Sequence, residues 1–336
     1  MPSNLDWLHW QLWFLKNYNE VKPRVKIIGC GVSGMTVGIV LLEAGMEVEI
    51  ITEKLPKDTT SAKAAAVWFP FRVQPVEKVN AWSLQTYHKF QNMVDIPQAG
   101  ISMITLTTLV KKQDDTWWID ALPKGAVKKV SSEEFSIDSV EAYAMPVPLI
   151  ETQLYLDYLF DQFCKLGGKV SIRKINSLEE LRSKGDFVIN CTGLQARDLT
   201  GDAQLFPIQG QIVKIVPQPD IRCITADFPF DDSEDKLAYI IPRRDCIVLG
   251  GTSVAGAECL DANDEVSKEI IARCKSIESN LQAPEIQSVV VGLRPGRSAI
   301  KLEREGNVVH NYGHGGAGFT VSWGCAMAVL DLVKEG

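Results

Sequence analysis

Apolar and polar positions along this chain fall into two rhythms. From Arg24 to Glu53, RVKIIGCGVSGMTVGIVLLEAGMEVEIITE, the short apolar run Val25 to Ile28 has the composition of a buried parallel strand. Thr36 to Ala44 then carries apolar residues at helical spacing, and Gly45 stops the helix. A second β-rich run, Val48 to Thr52, leads into Glu53. The same rhythm returns later. Leu154 to Leu166 is amphipathic and ends at Gly167-Gly168, while Lys169 to Arg173 and Phe187 to Cys191 read as strands. Val308 to Val333 closes the chain as strand, glycine-rich turn and long apolar helix.

The second rhythm is that of an antiparallel sheet. Pro75 to Val94 reads as a helix, and the Thr- and Ile-rich run Ile101 to Val110 follows it as a strand, with Trp117 and Trp118 fitting the same sheet. A second excursion starts at Pro207 to Val216. It continues through an acidic, solvated loop (Asp227 to Lys236), Tyr239 to Pro242, a strand from Cys246 to Gly250 and a helix over Leu260 to Leu281. Val289 to Pro295 is a strand that carries Arg294 at its end. The pattern implies an α/β (mixed α+β) protein. A discontinuous Rossmann-like domain takes residues 24–75, 140–207 and 285–336, and a mainly antiparallel substrate domain takes 76–139 and 208–284.

The triplet Gly29, Gly31 and Gly34 gives the first chemistry. In G-x-G-x-x-G the first glycine permits the tight turn and the second lets a pyrophosphate approach the backbone. The third allows helix and strand to pack closely. The helix N-terminus, at Val32 and Ser33, offers unpaired N–H groups and a partial positive charge. Glu53, nineteen residues beyond Gly34, can accept hydrogen bonds from ribose hydroxyls. The glycines alone are weak; with strand, helix, second strand and acid in order they define a dinucleotide site, for NAD(P) or FAD. Thr59 to Phe71 is a small-residue loop able to lie against a flat ligand, and Asn190-Cys191-Thr192-Gly193 ends a strand where such a ligand would be touched.

Composition narrows this further. The 336 residues are 46% hydrophobic and 23% charged, as expected of a globular protein, and the length suits two domains. A net charge of -7 argues against nucleic acid as a partner. Eight cysteines lack metal-ligand or disulfide-like spacing, so no metal is expected and reduced thiols in a cytoplasmic setting are. No apolar run is long enough to span a bilayer, and Lys334-Glu335-Gly336 is not an S-K-L peroxisomal address. Residues 1–23 form a Trp-rich extension. Its LDWLHWQLWFLKNY holds three tryptophans, one phenylalanine and four leucines in fourteen residues, and lacks the basic start and cleavage site of a secretory signal. Packing on the body or self-association fits it better than a membrane anchor, and a homo-oligomer, a dimer, is expected.

Four stretches coincide with one family. VVHNYGHGGAGFTVSWG resembles the C-terminal signature of the D-amino acid oxidase family, which includes D-aspartate oxidase. VGLRPGRSAIKLERE resembles its arginine-bearing strand, AYIIPRRDCIVLGGT its tyrosine-bearing hairpin and FVINCTG its central FAD contact. The resemblance runs from about Val25 to the C-terminus. It implies non-covalent, extended FAD: Gly29, Gly31 and Gly34 on the pyrophosphate, Glu53 on the adenosine ribose, and Lys54, Thr60, Ser61, Ala65 and Val67 lining the cofactor. Thr192 and Gly193 would line it from the opposite side, and Gly315, Gly316, Gly318, Phe319 and Thr320 would wrap the flavin ring, with a helix beginning near Phe319 aimed at it. Arg294 would grip the substrate carboxylate, Tyr239 would donate to it, and the Gly316 carbonyl would accept from the amino group. The implied reaction oxidises a D-amino acid with O2, giving a 2-oxo acid, ammonia and hydrogen peroxide. No strong base is expected, and His310 and His314 read as structural or flavin-adjacent.

The match has departures. Asp235 stands where the animal enzymes for neutral D-amino acids carry a lid tyrosine, and Ser253 stands where D-aspartate oxidases carry an arginine. Arg243, Arg244 and Arg297 are the cations that could substitute for that arginine from another direction. Together with Val67, Trp68 and Phe69, the departures favour a neutral, apolar D-amino acid. The alternatives are a D-aspartate oxidase, an oxidase of glycine or N-methyl amino acids, an NAD-dependent dehydrogenase, which would not explain GHGGAGFT, and a non-enzymatic flavoprotein.

Overall fold

A computed structural model describes residues 23–335, apart from 113, 134, 136, 138–139, 182–185 and 227–234. The Trp-rich residues 1–22 and most of the acidic stretch within 227–236 therefore lie outside the described residues.

In chain order the first elements are β1 (Arg24–Ile28), α1 (Val32–Glu43), β2 (Glu47–Thr52), α2 (Val76–Gln91), β3 (Ile101–Lys111), β4 (Lys128–Val130) and β5 (Val140–Ile150). Next come α3 (Thr152–Lys165), β6 (Lys169–Ile172), β7 (Asp186–Asn190), α4 (Ala196–Thr200), β8 (Phe206–Ile215), β9 (Cys223–Ala226), β10 (Lys236–Pro242) and β11 (Ile247–Thr252). The chain finishes with β12 (Val254–Ala255), α5 (Asp264–Ile277), β13 (Ile286–Gly296), β14 (Lys301–Glu305), β15 (Val308–Tyr312) and α6 (Ser322–Lys334).

Two sheets carry the described chain. The first has the order β14-β15-β7-β1-β2-β6, parallel except for β14 against β15. Strands β1 and β2 are joined through α1, whose apolar residues run almost all round because the helix is covered on several sides. Gly38 of α1 makes that closeness possible: a Cβ there would stand 2.7 Å from the Phe163 ring of α3. Helix α6 packs on both α1 and α2, and Gly324 lets it ride on the Trp82 backbone.

The second sheet has nine strands, ordered β12-β8-β11-β10-β9-β3-β5-β4, with β13 also on β8. It is antiparallel apart from the β3–β9 pair. Helix α5 covers part of it, capped at its start by Asn263 Oδ1, which accepts the Glu265 and Val266 N–H groups at 2.9 and 3.2 Å.

Three expectations need correction. Trp117 and Trp118 belong to a 3₁₀ turn, Trp117–Ala121, not to the sheet: Trp118 is buried against Phe69 and Tyr143, so packing rather than pairing explains its apolar character. Val140–Ile150 pairs with β3 and Ile286–Gly296 pairs with β8, so both strands belong to the nine-stranded sheet although the boundaries at 140 and 285 gave them to the dinucleotide domain. Helix α6 starts at Ser322, three residues beyond Phe319, with turns before it.

Candidate active site

A cavity of about 590 Å³ runs between the two sheets. At one end is the carboxyl edge of β1. Gly29 has φ +102°, and a Cβ there would stand 2.5 Å from the Cys191 carbonyl oxygen, so only glycine fits the turn. Gly31, Val32 and Ser33 line the cavity beside it. Ser61 closes over this turn: its Oγ accepts the Val32 N–H at 3.0 Å, taking up one of the free amides at the head of α1. Gly34 does not line the cavity. A Cβ there would collide with the Gly29 carbonyl, so Gly34 lets α1 meet β1 beside the turn.

Glu53, Lys54, Thr60, Ser61, Ala65 and Val67 line the same space. Glu53 receives Gln195 Nε2 at 3.1 Å and Lys174 Nζ at 3.8 Å, both on Oε1. Across the cleft, Thr192 and Gly193 follow β7, and Asn190 Oδ1 accepts both the Thr192 N–H at 3.2 Å and its hydroxyl at 2.7 Å. Gly315, Gly316, Gly318, Phe319 and Thr320 form the far wall. Thr320 is pinned to Phe69, donating to its carbonyl at 2.9 Å and accepting its N–H at 3.1 Å.

The second sheet supplies the opposite face. Leu237, Tyr239 and Ile241 point into the cavity from alternate positions of β10, and Ile212 and Val290 join them from β8 and β13. Tyr239 lies opposite Gly250 in register, and its ring fills the space a side chain at Gly250 would need. Burial pushes the Tyr239 phenol up, and the adjacent Arg294 guanidinium pulls it back down. Arg294 Nη1 donates to the Thr252 carbonyl at 3.0 Å, and its guanidinium stands over Gly210 of β8. Thr252 is fixed in turn, its hydroxyl accepting the Gln211 N–H at 2.9 Å. The pair of Arg294 and Tyr239 presents cationic and phenolic donors together, a fit for a carboxylate, beside an apolar wall.

Gly210 and Thr252 were missed by sequence reading. An isolated glycine inside a strand was the available signal for Gly210, since it marks a close approach. The three proposed cations do not reach the site. Arg243 is buried on Glu151 at 3.0 Å, Arg297 is paired with Asp202 at 2.9 Å, and Arg244 is exposed away from the cleft.

His314 lines the cavity but is no base poised near neutrality. Burial pushes its pKa down to about 4, and its Nε2 lies 2.9 Å from Asn311 Oδ1. The Asn311 amide nitrogen faces Cys191 Sγ at 3.9 Å. His310 lies outside the cavity, and burial likewise lowers its pKa. Burial pushes the thiols of Cys30 and Cys191 up to about 12. Among the described residues no group of His, Cys, Asp and Glu could hold a metal, and no helix is long and apolar enough to cross a membrane.

A glycine turn at the head of a buried helix, an acid at the next strand end and a cleft walled by a second sheet define a dinucleotide-dependent enzyme. The chain belongs to the FAD dependent oxidoreductase (DAO) family, whose model matches residues 24–332. Its cofactor is FAD. A D-amino-acid oxidase of Rubrobacter xylanophilus is 36% identical over 320 residues, covering 93% of this chain and 96% of that one. A D-amino-acid oxidase of Dictyostelium discoideum is 37% identical, covering 94% and 92%. Among solved structures, glycine oxidase from Geobacillus kaustophilus shares the fold with a TM-score of 0.73 at 16% identity, covering 94% of this chain and 95% of its own.

Proposed function

We propose that the protein oxidatively deaminates D-amino acids with neutral, apolar side chains, giving 2-oxo acids, ammonia and hydrogen peroxide. The observation that carries this reading is the Arg294–Tyr239 pair, set in the cofactor cleft beside Ile212, Ile241 and Val290. FAD, when bound, supplies two-electron oxidation of the substrate with O2 as final acceptor. Glu53 would hold the ribose, the turn from Gly29 to Ser33 the pyrophosphate, and Gly315, Gly316, Gly318, Phe319 and Thr320 the ring system. Lys54, Thr60, Ser61, Ala65, Val67, Thr192 and Gly193 would line its length. The fit rests on the cleft itself: Gly29 admits no side chain, and small residues wall the path between Glu53 and Arg294.

Arg294 holds the substrate carboxylate through two charge-assisted bonds, Tyr239 donates to the same group, and the Gly316 carbonyl accepts from the amino group. Orientation does most of the work: among the described lining residues the one histidine, His314, has its pKa pushed by burial down to about 4. The cations lining the cleft are Lys54, Lys63, Arg173 and Arg294, and Lys63 Nζ is taken up by the Val291 carbonyl at 2.9 Å. With Arg243 and Arg297 paired elsewhere, a second carboxylate finds no cation beside Tyr239 among the described residues, which disfavours D-aspartate. Free thiols and the Trp-rich sequence support a cytoplasmic homodimer as part of the same proposal.

Anaerobic flavin bleaching tests the activity, using D-alanine, D-methionine, D-phenylalanine, D-aspartate, D-glutamate and glycine, with L-enantiomers as controls. Fast bleaching by the neutral D-forms alone is expected. Fast bleaching by D-aspartate would overturn the side-chain preference, and bleaching by none would leave a non-enzymatic flavoprotein.

A further inference from the structure

The turn joining β10 to β11 places Arg243 four residues beyond Tyr239, with its side chain only 3% exposed. Arg243 Nε donates to Glu151 Oε2 at 3.0 Å, and both terminal nitrogens reach Thr152 Oγ1 at 3.3 Å. The other Glu151 oxygen accepts the Arg244 N–H at 3.1 Å. One carboxylate therefore holds two successive residues of the hairpin that carries Tyr239. Asp245 approaches Arg243 at 3.7 Å from the solvent side and is itself exposed.

Glu151 and Thr152 sit where β5 passes into α3, the helix that packs on α1. The same junction grips the loop that walls the cofactor cleft. Thr152 Oγ1 donates to the Ala62 carbonyl at 3.5 Å. The Ile150 N–H donates to Ala66 and the Pro148 carbonyl accepts from Trp68, both at 2.9 Å. Residues 148–152 thus hold the cofactor loop on one side and the substrate hairpin on the other. Neither Glu151 nor Arg243 lines the cleft.

A buried ion pair is a poor means of adding stability, because desolvation offsets most of its attraction. Its directional bonds nevertheless admit a single geometry, where an apolar contact of the same size would tolerate sliding. We propose that the Arg243–Glu151–Thr152 cluster is a positioning device that fixes the substrate hairpin relative to the cofactor loop. It sets the rate of substrate oxidation and leaves FAD affinity alone, while carboxylate affinity, held chiefly by Arg294 on β13, changes by no more than the single Tyr239 hydrogen bond. The proposal rests on the activity proposed above.

The test compares holoenzymes. Arg243→Met alone would strand a buried carboxylate, so the informative variant is the double Glu151→Gln/Arg243→Met, in which the amide oxygen still accepts the Arg244 N–H. Three quantities are read: the FAD Kd by flavin fluorescence, the Kd of propionate from perturbed flavin absorbance, and the anaerobic bleaching rate at saturating D-alanine. The FAD Kd should stay within about threefold and the propionate Kd within about fivefold, the worth of the one Tyr239 hydrogen bond, while bleaching at saturation slows about tenfold or more, as expected of misplaced reactants. Arg243→Lys keeps the charge but loses the fork on Thr152. It should bleach at an intermediate rate, and it serves as the test should the double variant not fold. A wild-type bleaching rate in a folded variant of lowered Tm would reduce the cluster to a structural role and overturn the proposal. A joint loss of all three would do the same. Failure of the unmodified enzyme to bleach would strike the activity itself, and the proposal would fall with it.

Discussion

Arg294 occupies the space that Gly210 leaves empty. A Cβ on Gly210 would stand 2.6 Å from the guanidinium carbon, so a side chain there would displace the group. The substrate-binding cation is thus positioned by an absence on the neighbouring strand, and the Thr252 carbonyl fixes its direction.

Gly210→Ala should therefore mimic loss of the arginine. With the fork on the carboxylate displaced, kcat/KM for D-alanine should fall about 100-fold, roughly 3 kcal/mol of charge-assisted bonding. FAD content should not change. Arg294→Ala should abolish turnover with FAD still bound, and near-normal activity in either variant would remove Arg294 from the substrate site.

Gly34 is expected to act through the fold. In Gly34→Ala the methyl must push α1 away from the Gly29 carbonyl, so the phosphate-binding turn opens and FAD loading collapses together with Tm. Glu53→Gln should behave differently, keeping Tm of the apoprotein and weakening FAD by about threefold to tenfold, the worth of one hydrogen bond. Isothermal titration separates the two, and normal FAD affinity in Gly34→Ala would sink the packing account.

His314 makes stability depend on pH. Its folded-state pKa is depressed from 6.5 to about 4, so the unfolded chain takes up a proton that the native state refuses. The stability is fully present above pH 6.5 and drains away as pH falls towards 4, by roughly 3 kcal/mol at most. His310, lowered in the same direction by burial, adds to this slope. Tm of the unmodified protein should drop more steeply through that window than Tm of His314→Gln. Equal slopes would show that the buried imidazole is not the group responsible.

Gly324→Ala tests the contact between α6 and α2. Its methyl would meet the Trp82 backbone, with the carbonyl carbon 2.7 Å away and no flexible side chain able to yield. A loss of about 1–3 kcal/mol is expected from such overpacking. It should appear as a lower urea midpoint at unchanged slope, and an unchanged midpoint would mean that the helices slide apart without cost.

The dinucleotide half was legible because its signals are local. Strand, glycine turn, helix and acid follow within thirty residues of one another, from Arg24 to Glu53, and each has one physical reading. Sheet membership was less legible, since apolar runs such as Val140–Ile150 and Ile286–Gly296 state that they are buried, not which partner they take. The fate of the arginines was hidden for the same reason. Arg243 finds Glu151, ninety-two residues earlier, and Arg297 finds Asp202, ninety-five residues earlier; neither spacing has any periodicity to betray it. Trp117 and Trp118 carry strand-like composition on a 3₁₀ turn, where Trp118 is buried against Phe69 and Tyr143 and Trp117 packs partly buried beside the core.

Strand β15 lies beside β7 in the parallel sheet, yet it is made from the last part of the chain. During synthesis β7 must wait, its backbone donors and acceptors unpaired on one side, until residues 308–312 emerge. The apolar surface of α1 that α6 covers waits longer still. A nascent chain that stops short of residue 308 would therefore expose an unpaired strand edge and an uncovered apolar helix face together, the two features that favour aggregation.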